Sequence, residues 1–356
     1  VSSLKRLGWN AFFQDQIGPE LSQFEIARIV EEQRGLYRVA GDVDGWAEVS
    51  GRFRHGAASS ADFPAVGDWV CITMLPGADR ATIHRRLERR GAVSRKAAGR
   101  AVDEQVVAAN VDTIFLVTAP TGDVSPRRIE RYLTMVWEAG AAPVIVLNKA
   151  DLCADAAAEV NAMRTRVPFV EIVAVSALHS DRLELLGPFL KPETTVAILG
   201  SSGVGKSTLI NRLLGHDVQK VAAISEVDLK GRHTTTARQL VELENGAMLI
   251  DTPGMRELQP WTDETGVSGA FGDVLELAQS CRFTDCSHTN EPGCAVAEAI
   301  AAGNLGEDRL DHYRQLLREA AFEERKRDKA AAAEHKRKWK RIHQQVKALY
   351  KDRQRS

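Results

Sequence analysis

Eight consecutive residues constrain this chain more than any others. Gly200-Ser201-Ser202-Gly203-Val204-Gly205-Lys206-Ser207 fits G-x-x-x-x-G-K-[ST], follows the apolar run TTVAIL and opens the helical stretch STLINRLL. A strand that feeds such a loop into a helix builds a phosphate cradle. The glycines let backbone N–H groups turn inward, and the helix N-terminus adds partial positive charge. Lys206 is placed to bridge the β- and γ-phosphates and the Ser207 hydroxyl to hold Mg²⁺, with Thr208 next to them. The motif by itself specifies a nucleoside triphosphate and leaves the base open.

Other residues read the base. Asn148-Lys149-Ala150-Asp151 follows the apolar run PVIVL. A carboxylate at Asp151 accepts from both N1–H and the 2-amino group of guanine, a donor pair that adenine lacks. The Lys149 stem can cover the base face. Ser176-Ala177-Leu178 follows the next apolar run and matches the loop that backs guanine in GTPases. Asp251-Thr252-Pro253-Gly254 fits DxxG: Asp251 would reach Mg²⁺ through water, and the Gly254 N–H would meet the γ-phosphate. Between the two phosphate motifs lies Gly231-Arg232-His233-Thr234-Thr235-Thr236, where Thr235, with Thr234 as the alternative, is the expected switch I ligand to Mg²⁺. A conventional GTPase begins with the phosphate loop and ends with the SA loop. Here the order is rotated, as a circular permutation would leave it, and rotation preserves the contacts if the old termini were close.

Around this domain the texture changes twice. Residues 1–20 read as a loosely attached arm. From 21 to 100, the segments QFEIARIV, GLYRVAG, GWAEVSGRFR, GDWVCITML and RATIHRRL alternate with period two between turn residues. That predicts a small five-stranded barrel, OB-like or SH3-like. Residues 106–270 alternate apolar runs with helical patterns, which predicts a mainly parallel α/β sheet. Residues 271–356 begin with Cys281, Cys286, His288 and Cys294, spaced C-x4-C-x-H-x5-C, a set suited to one structural, tetrahedral Zn²⁺. The expected architecture is therefore multidomain α/β: an N-terminal OB-like β-barrel, a circularly permuted P-loop GTPase domain and a C-terminal zinc-binding helical domain.

Net charge is −1, yet residues 321–356 carry thirteen Lys/Arg against five Asp/Glu, and residues 80–100 carry eight against one. Two basic blocks on a near-neutral chain point to a polyanionic partner touched at two places. Trp46, Phe53 and Trp69 are candidate stacking surfaces for bases, or barrel core. Five cysteines, an odd number, argue against a disulfide framework and for a reducing cytoplasm. Cys71 and Cys153 are expected in the core. No apolar run is long enough to cross a membrane, and the first residues carry no apolar leader.

On NKAD (148–151), GSSGVGKS (200–207), GRHTTT (231–236), DTPG (251–254) and the Cys/His cluster, the chain resembles the ribosome small-subunit-dependent GTPase A family, also known as RsgA or YjeQ. The resemblance spans nearly the whole chain. It implies a GTPase that acts late in small-subunit assembly, binds the subunit and its rRNA, is stimulated by it, and carries zinc. A monomer is expected. The position where Ras-like enzymes place a water-orienting Gln is Met255, which can neither orient nor deprotonate water. His233 is the expected substitute, acting with Lys206 and Thr235; the family carries a His in its GxHTTT motif. The other reading is a GTP-dependent binding switch with little hydrolysis and a different partner. Because DTPG runs almost directly into the Cys/His module, loss of the γ-phosphate is expected to re-aim that module through switch II.

Overall fold

The structure, a computed structural model, describes residues 3–33, 35–74, 77, 80–96, 104–120, 125–215, 238–251, 264–289, 291–322 and 325. Five strands form the barrel: β1 (Glu25–Gln33), β2 (Leu36–Gly41), β3 (Gly45–Val49), β4 (Trp69–Thr73) and β5 (Ala81–Arg86). They run in the order β1-β2-β3-β5-β4, and β1 pairs with β4 to close the cylinder. The parallel β3–β5 pair is the mark of the OB topology, so the SH3-like alternative falls away. One expected strand is cut short. GWAEVSGRFR is extended only to Val49; Ser50 Oγ then accepts from Phe53 N at 3.1 Å and caps a helix over Gly51–Gly56. A hydroxyl that satisfies an orphan helix N–H outweighs a two-residue alternation.

The arm is not loose. Asn10 caps a short helix, Ala11–Gln14, and Phe13 is 1% exposed. Trp9 meets Trp69 edge-on at 4.9 Å, and Phe13 lies 5.8 Å from the same ring. Trp69 is itself 1% exposed, which removes it as a base-stacking surface; Trp46 and Phe53 are half-buried. Cys71 is core, whereas Cys153 is only partly buried.

The second sheet layer runs β10-β9-β8-β11-β13-β12. Its strands are β8 (Thr113–Thr118), β9 (Ala142–Leu147), β10 (Glu171–Ala174), β11 (Thr195–Leu199), β12 (Arg238–Glu242) and β13 (Met248–Asp251). All pair in parallel except β12, which is antiparallel to β13. Buried Val, Ile and Leu on both faces fit strands covered from two sides. The sheet does not stop there: β12 also pairs with β1, so barrel and α/β sheet form one continuous eleven-stranded surface. A separate hairpin, β6 (Ala92–Lys96) with β7 (Glu104–Ala109), links the two layers. Neither β12 nor this hairpin stands out in the sequence.

Arg28 locks the seam. It projects from β1, is 1% exposed, and donates to Leu7 O at 2.5 Å, Gly67 O at 3.1 Å and Thr195 Oγ1 at 2.9 Å. One guanidinium thus ties the arm, the barrel and the start of β11. Burial pushes it down to about 10, still cationic at neutral pH. Asp112 accepts from Thr195 N at 2.7 Å and pairs with Arg90 at 2.6 Å, which fixes the same corner.

Helices α1 (Pro126–Glu138), α2 (Ala156–Arg166) and α3 (Lys206–Leu213) serve the α/β sheet; α4 (Glu264–Ala270), α5 (Gly272–Ala278), α6 (Ala295–Ala301) and α7 (307–322) form the C-terminal part. A buried ionic cluster docks that part on α1. Arg309 of α7 donates to Glu130 at 2.8 Å and to both Asp273 oxygens at 2.5 and 2.7 Å, with its guanidinium 4.7 Å from the Phe271 ring. His312 bonds the other Glu130 oxygen. The basic tail from 326 onward lies outside the described residues.

Replacing Arg28 with Ala removes a donor from three buried acceptors, of which Gly67 O keeps the Asn110 amide at 3.1 Å, and opens a void. We expect a loss of about 3 kcal/mol in urea unfolding. A loss under about 1 kcal/mol would mean the seam is held by something else.

Candidate functional site

The phosphate loop joins β11 to α3, and its shape needs its glycines. Gly200 has φ +147°, and a Cβ there would stand 2.2 Å from Val117 O. Gly205 has φ +92°, and a Cβ there would stand 2.3 Å from Asn148 Nδ2. Both positions therefore demand close backbone approach that no side chain permits. Val204 is buried beneath the loop, while Ser202, Gly203 and Ser207 face solvent. Lys206 opens α3, and its Nζ donates to Gly200 O at 2.6 Å and also to Ser201 O. Arg128 of α1 donates to Ser201 Oγ at 3.3 Å. Thr208 is partly buried in the first turn of α3.

The guanine-type loop arrives at the same place from the neighbouring strands. Asn148, at the end of β9, is 2% exposed. Its Nδ2 donates to Val204 O at 2.9 Å, and its Oδ1 accepts from Ala177 N at 3.0 Å. One amide thereby joins three loops whose residues are up to 56 positions apart. Lys149 sits at φ +60°, and its Cε comes within 3.9 Å of where a Gly205 side chain would begin, so its stem runs toward the phosphate loop. The Ser176 hydroxyl donates to Asp151 Oδ1, and His179 lies 3.8 Å from the other oxygen. Hydrogen bonding from Ser176 holds the Asp151 carboxyl below its ordinary value, so it stays an acceptor at neutral pH. Ser176 and Ala177 are buried and Leu178 is exposed.

Asp251 ends β13, next to β11 and therefore on the same sheet edge as the phosphate loop. His233, Thr234, Thr235, Gly254 and Met255 lie outside the described residues, as does the 252–263 segment through which the Cys/His module was expected to be re-aimed. The described residues therefore bring together Asn148, Lys149, Asp151, Ser176, Ala177 and the 200–208 loop and helix start. This arrangement offers a glycine-rich loop and a cation at one end, and the acceptor carboxylate of exposed Asp151, beside Ser176 and His179, at the other.

A second site lies beyond α5. Cys281, Cys286, His288 and Cys294 present their ligand atoms all within 4.8 Å of one another. Cys281 Sγ is 3.9 Å from Cys294 Sγ, and His288 Nδ1 is 3.6 and 3.5 Å from those sulfurs. A tetrahedral ion with metal–sulfur bonds of about 2.3 Å separates its sulfurs by about 3.8 Å, so the donor set fits a metal ion. Burial raises the Cys281 thiol, but the Val296 and Ala295 N–H groups and the neighbouring thiols outweigh it and leave the group below its ordinary value. Arg314 of α7 donates to Ser287 O at 3.1 Å and His288 O at 2.8 Å, which stiffens the ligand loop.

Several residues that shape these sites or their surroundings carry no mark in the sequence: Arg128, Arg212, Arg309 and Arg314. Each is a helical arginine outside any motif, and its partner is set by how elements cross, which no local spacing encodes.

Comparison with known proteins follows the geometry. Residues 86–261 match the family model described as RsgA GTPase. The chain is 45% identical over 359 residues to "Small ribosomal subunit biogenesis GTPase RsgA" of Opitutus terrae, covering 97% of each chain. It is 48% identical over 263 residues to the protein of that name from Methanosarcina acetivorans, covering 74% of this chain and 71% of the other. Among solved structures, YjeQ from Thermotoga maritima superposes with a TM-score of 0.62 at 26% identity, covering 83% of this chain and 98% of that one. YloQ, described as a circularly permuted GTPase, gives 0.60 at 26% identity, covering 86% and 98%. Among the described residues no helix is long and apolar enough to cross a membrane. Near-full-length identity of this degree, a matching permuted fold and the loops of the rotated motifs joined by Asn148 lead to a single conclusion: the chain belongs to the RsgA GTPase family.

Proposed function

We propose that this protein binds GTP between the Asn148–Asp151 loop and the 200–208 loop and hydrolyses it to GDP and phosphate during late maturation of the small ribosomal subunit, with the subunit stimulating turnover. The observation that carries the reading is the Asn148 amide, which bonds Val204 O and Ala177 N at once and so joins the three loops. The relatives' name, small ribosomal subunit biogenesis GTPase, supplies the partner.

The roles follow from chemistry. Asp151 accepts from guanine N1–H and N2, and the Lys149 stem covers the base. Lys206 exchanges its bonds to Gly200 O and Ser201 O for the β- and γ-phosphate oxygens, which places a cation where charge develops in phosphoryl transfer. Ser207 and Thr235, with Asp251 through water, would hold a Mg²⁺ delivered with the triphosphate, which would neutralise phosphate charge there. The Gly254 N–H marks the γ-phosphate. His233 accepts from the attacking water in place of the glutamine that Met255 replaces. The Cys281, Cys286, His288 and Cys294 set would hold one structural zinc, and its four protein ligands leave no position for substrate.

The reading treats arm 1–20, barrel 21–100, nucleotide domain 106–270 and metal-binding end 271–356 as the working parts of a cytoplasmic monomer. Both basic blocks serve rRNA. On the barrel, an open hollow of about 350 Å³ is bordered by Arg52, Phe53, Asp62, His84, Arg85 and Arg86; three arginines against one carboxylate suit phosphates beside a half-buried ring.

Purified small subunits are expected to raise the rate of GTP turnover. His233→Ala should lower turnover about a hundredfold while GTP affinity holds. Turnover that ignores the subunit would favour the binding-switch reading, and an unchanged rate in the variant would remove His233 from the mechanism. Metal analysis of the purified protein should find about one zinc per chain, and Cys294→Ser should lose it and lower the melting temperature. Full metal content in that variant contradicts the ligand set.

A further inference from the structure

The helix that begins with Lys206 makes a second contact with the nucleotide-domain loops six residues on. Arg212 of α3 reaches across to the Ser176–Leu178 loop, where its Nε donates to Ala177 O at 3.1 Å and its Nη2 donates to Leu178 O at 3.0 Å. A guanidinium fork holds two carbonyls in a fixed relation that an ammonium cannot reproduce. The peptides it holds directly follow Ser176, whose hydroxyl donates to Asp151. Leu178 is 55% exposed and has no core to anchor it, so side-chain burial does not fix this end of the loop. The loop's other tethers are the Asn148 bond to Ala177 N and the paired backbone bonds, each 3.0 Å, between Ser176 and Asp181, which leave the Leu178 carbonyl to Arg212.

We propose that Arg212 is a positioning residue for guanine recognition. It clamps the base-backing loop, sets Ser176, and through Ser176 aims the Asp151 carboxylate. Arg212 rides on the helix that carries Lys206, about 9 Å along the axis at 1.5 Å per residue. It therefore also fixes the base-reading loop at a set distance from the phosphate cradle. This inference rests on the guanine assignment of Asp151 above.

The consequence is selective. A carboxylate that reads both N1–H and the 2-amino group must present its two oxygens in the plane of the base. Inosine offers only N1–H, so a carboxylate that loses its aim costs GTP more than ITP. Damage to the helix or the fold would weaken both nucleotides by the same factor.

The test is equilibrium binding of GTP, ITP and ATP to the wild-type chain, Arg212→Ala and Arg212→Lys. Loss of two charge-assisted bonds should weaken GTP about tenfold in Arg212→Ala, with ITP falling by about threefold, so the preference for GTP shrinks. Arg212→Lys, able to reach one carbonyl, should lie between the two. Equal factors for GTP and ITP, or no change, in either variant overturn the proposal; if Arg212→Ala fails to fold, Arg212→Lys decides. A wild-type chain that binds ITP or ATP as tightly as GTP would instead contradict the guanine assignment itself. A wild type that prefers GTP, with an indifferent Arg212→Lys, contradicts only the role of Arg212.

Discussion

The site depends on the side-chain amide of Asn148. A primary amide carries donors on one side and an acceptor on the other, and here both are used within the protein: the donor on Val204 O, the acceptor on Ala177 N. Being 2% exposed, the group has no water to fall back on, so either bond lost leaves a buried polar atom unpaired. That is why a permuted chain can keep its site. The order in which loops are synthesised does not matter to an amide that binds them by proximity, and the strand order β10-β9-β8-β11-β13-β12 delivers all three loops to one sheet edge.

The same logic operates at larger scale. Arg28 at the barrel seam and Arg309 at the C-terminal seam are each buried cations with several fixed acceptors. Such groups are expensive to bury and more expensive to strand, so they specify one docking geometry rather than adding much net stability. The barrel is further bound through the β1–β12 ladder, whose strand β12 begins one residue after the GRHTTTA segment. Barrel, nucleotide pocket and metal-ligand module are in this way parts of one mechanical body.

How much of this was legible in the sequence follows from range. The phosphate and base motifs are contiguous because backbone N–H groups and a carboxylate must meet small rigid ligands, and contiguity is what a sequence displays. The Cys/His set was legible for the same reason. The barrel strands showed through alternation, which misled at Gly51–Arg54, where a Ser50 cap decided for helix. The arm was misread because Trp9 and Phe13 look like scattered aromatics until Trp69 supplies the surface they cover. Arg28, Arg212 and Arg309 were invisible because their acceptors are backbone carbonyls or carboxylates far along the chain, fixed only once helices and sheets have crossed.

The most direct measurement is a crystal structure of the full chain grown with GDP. The account predicts one nucleotide with its base edge within hydrogen-bond distance of Asp151 and its β-phosphate ringed by the backbone N–H groups of 203–207. A base bound elsewhere, or phosphates in the loop with the Asn148–Asp151 segment turned away, would contradict it.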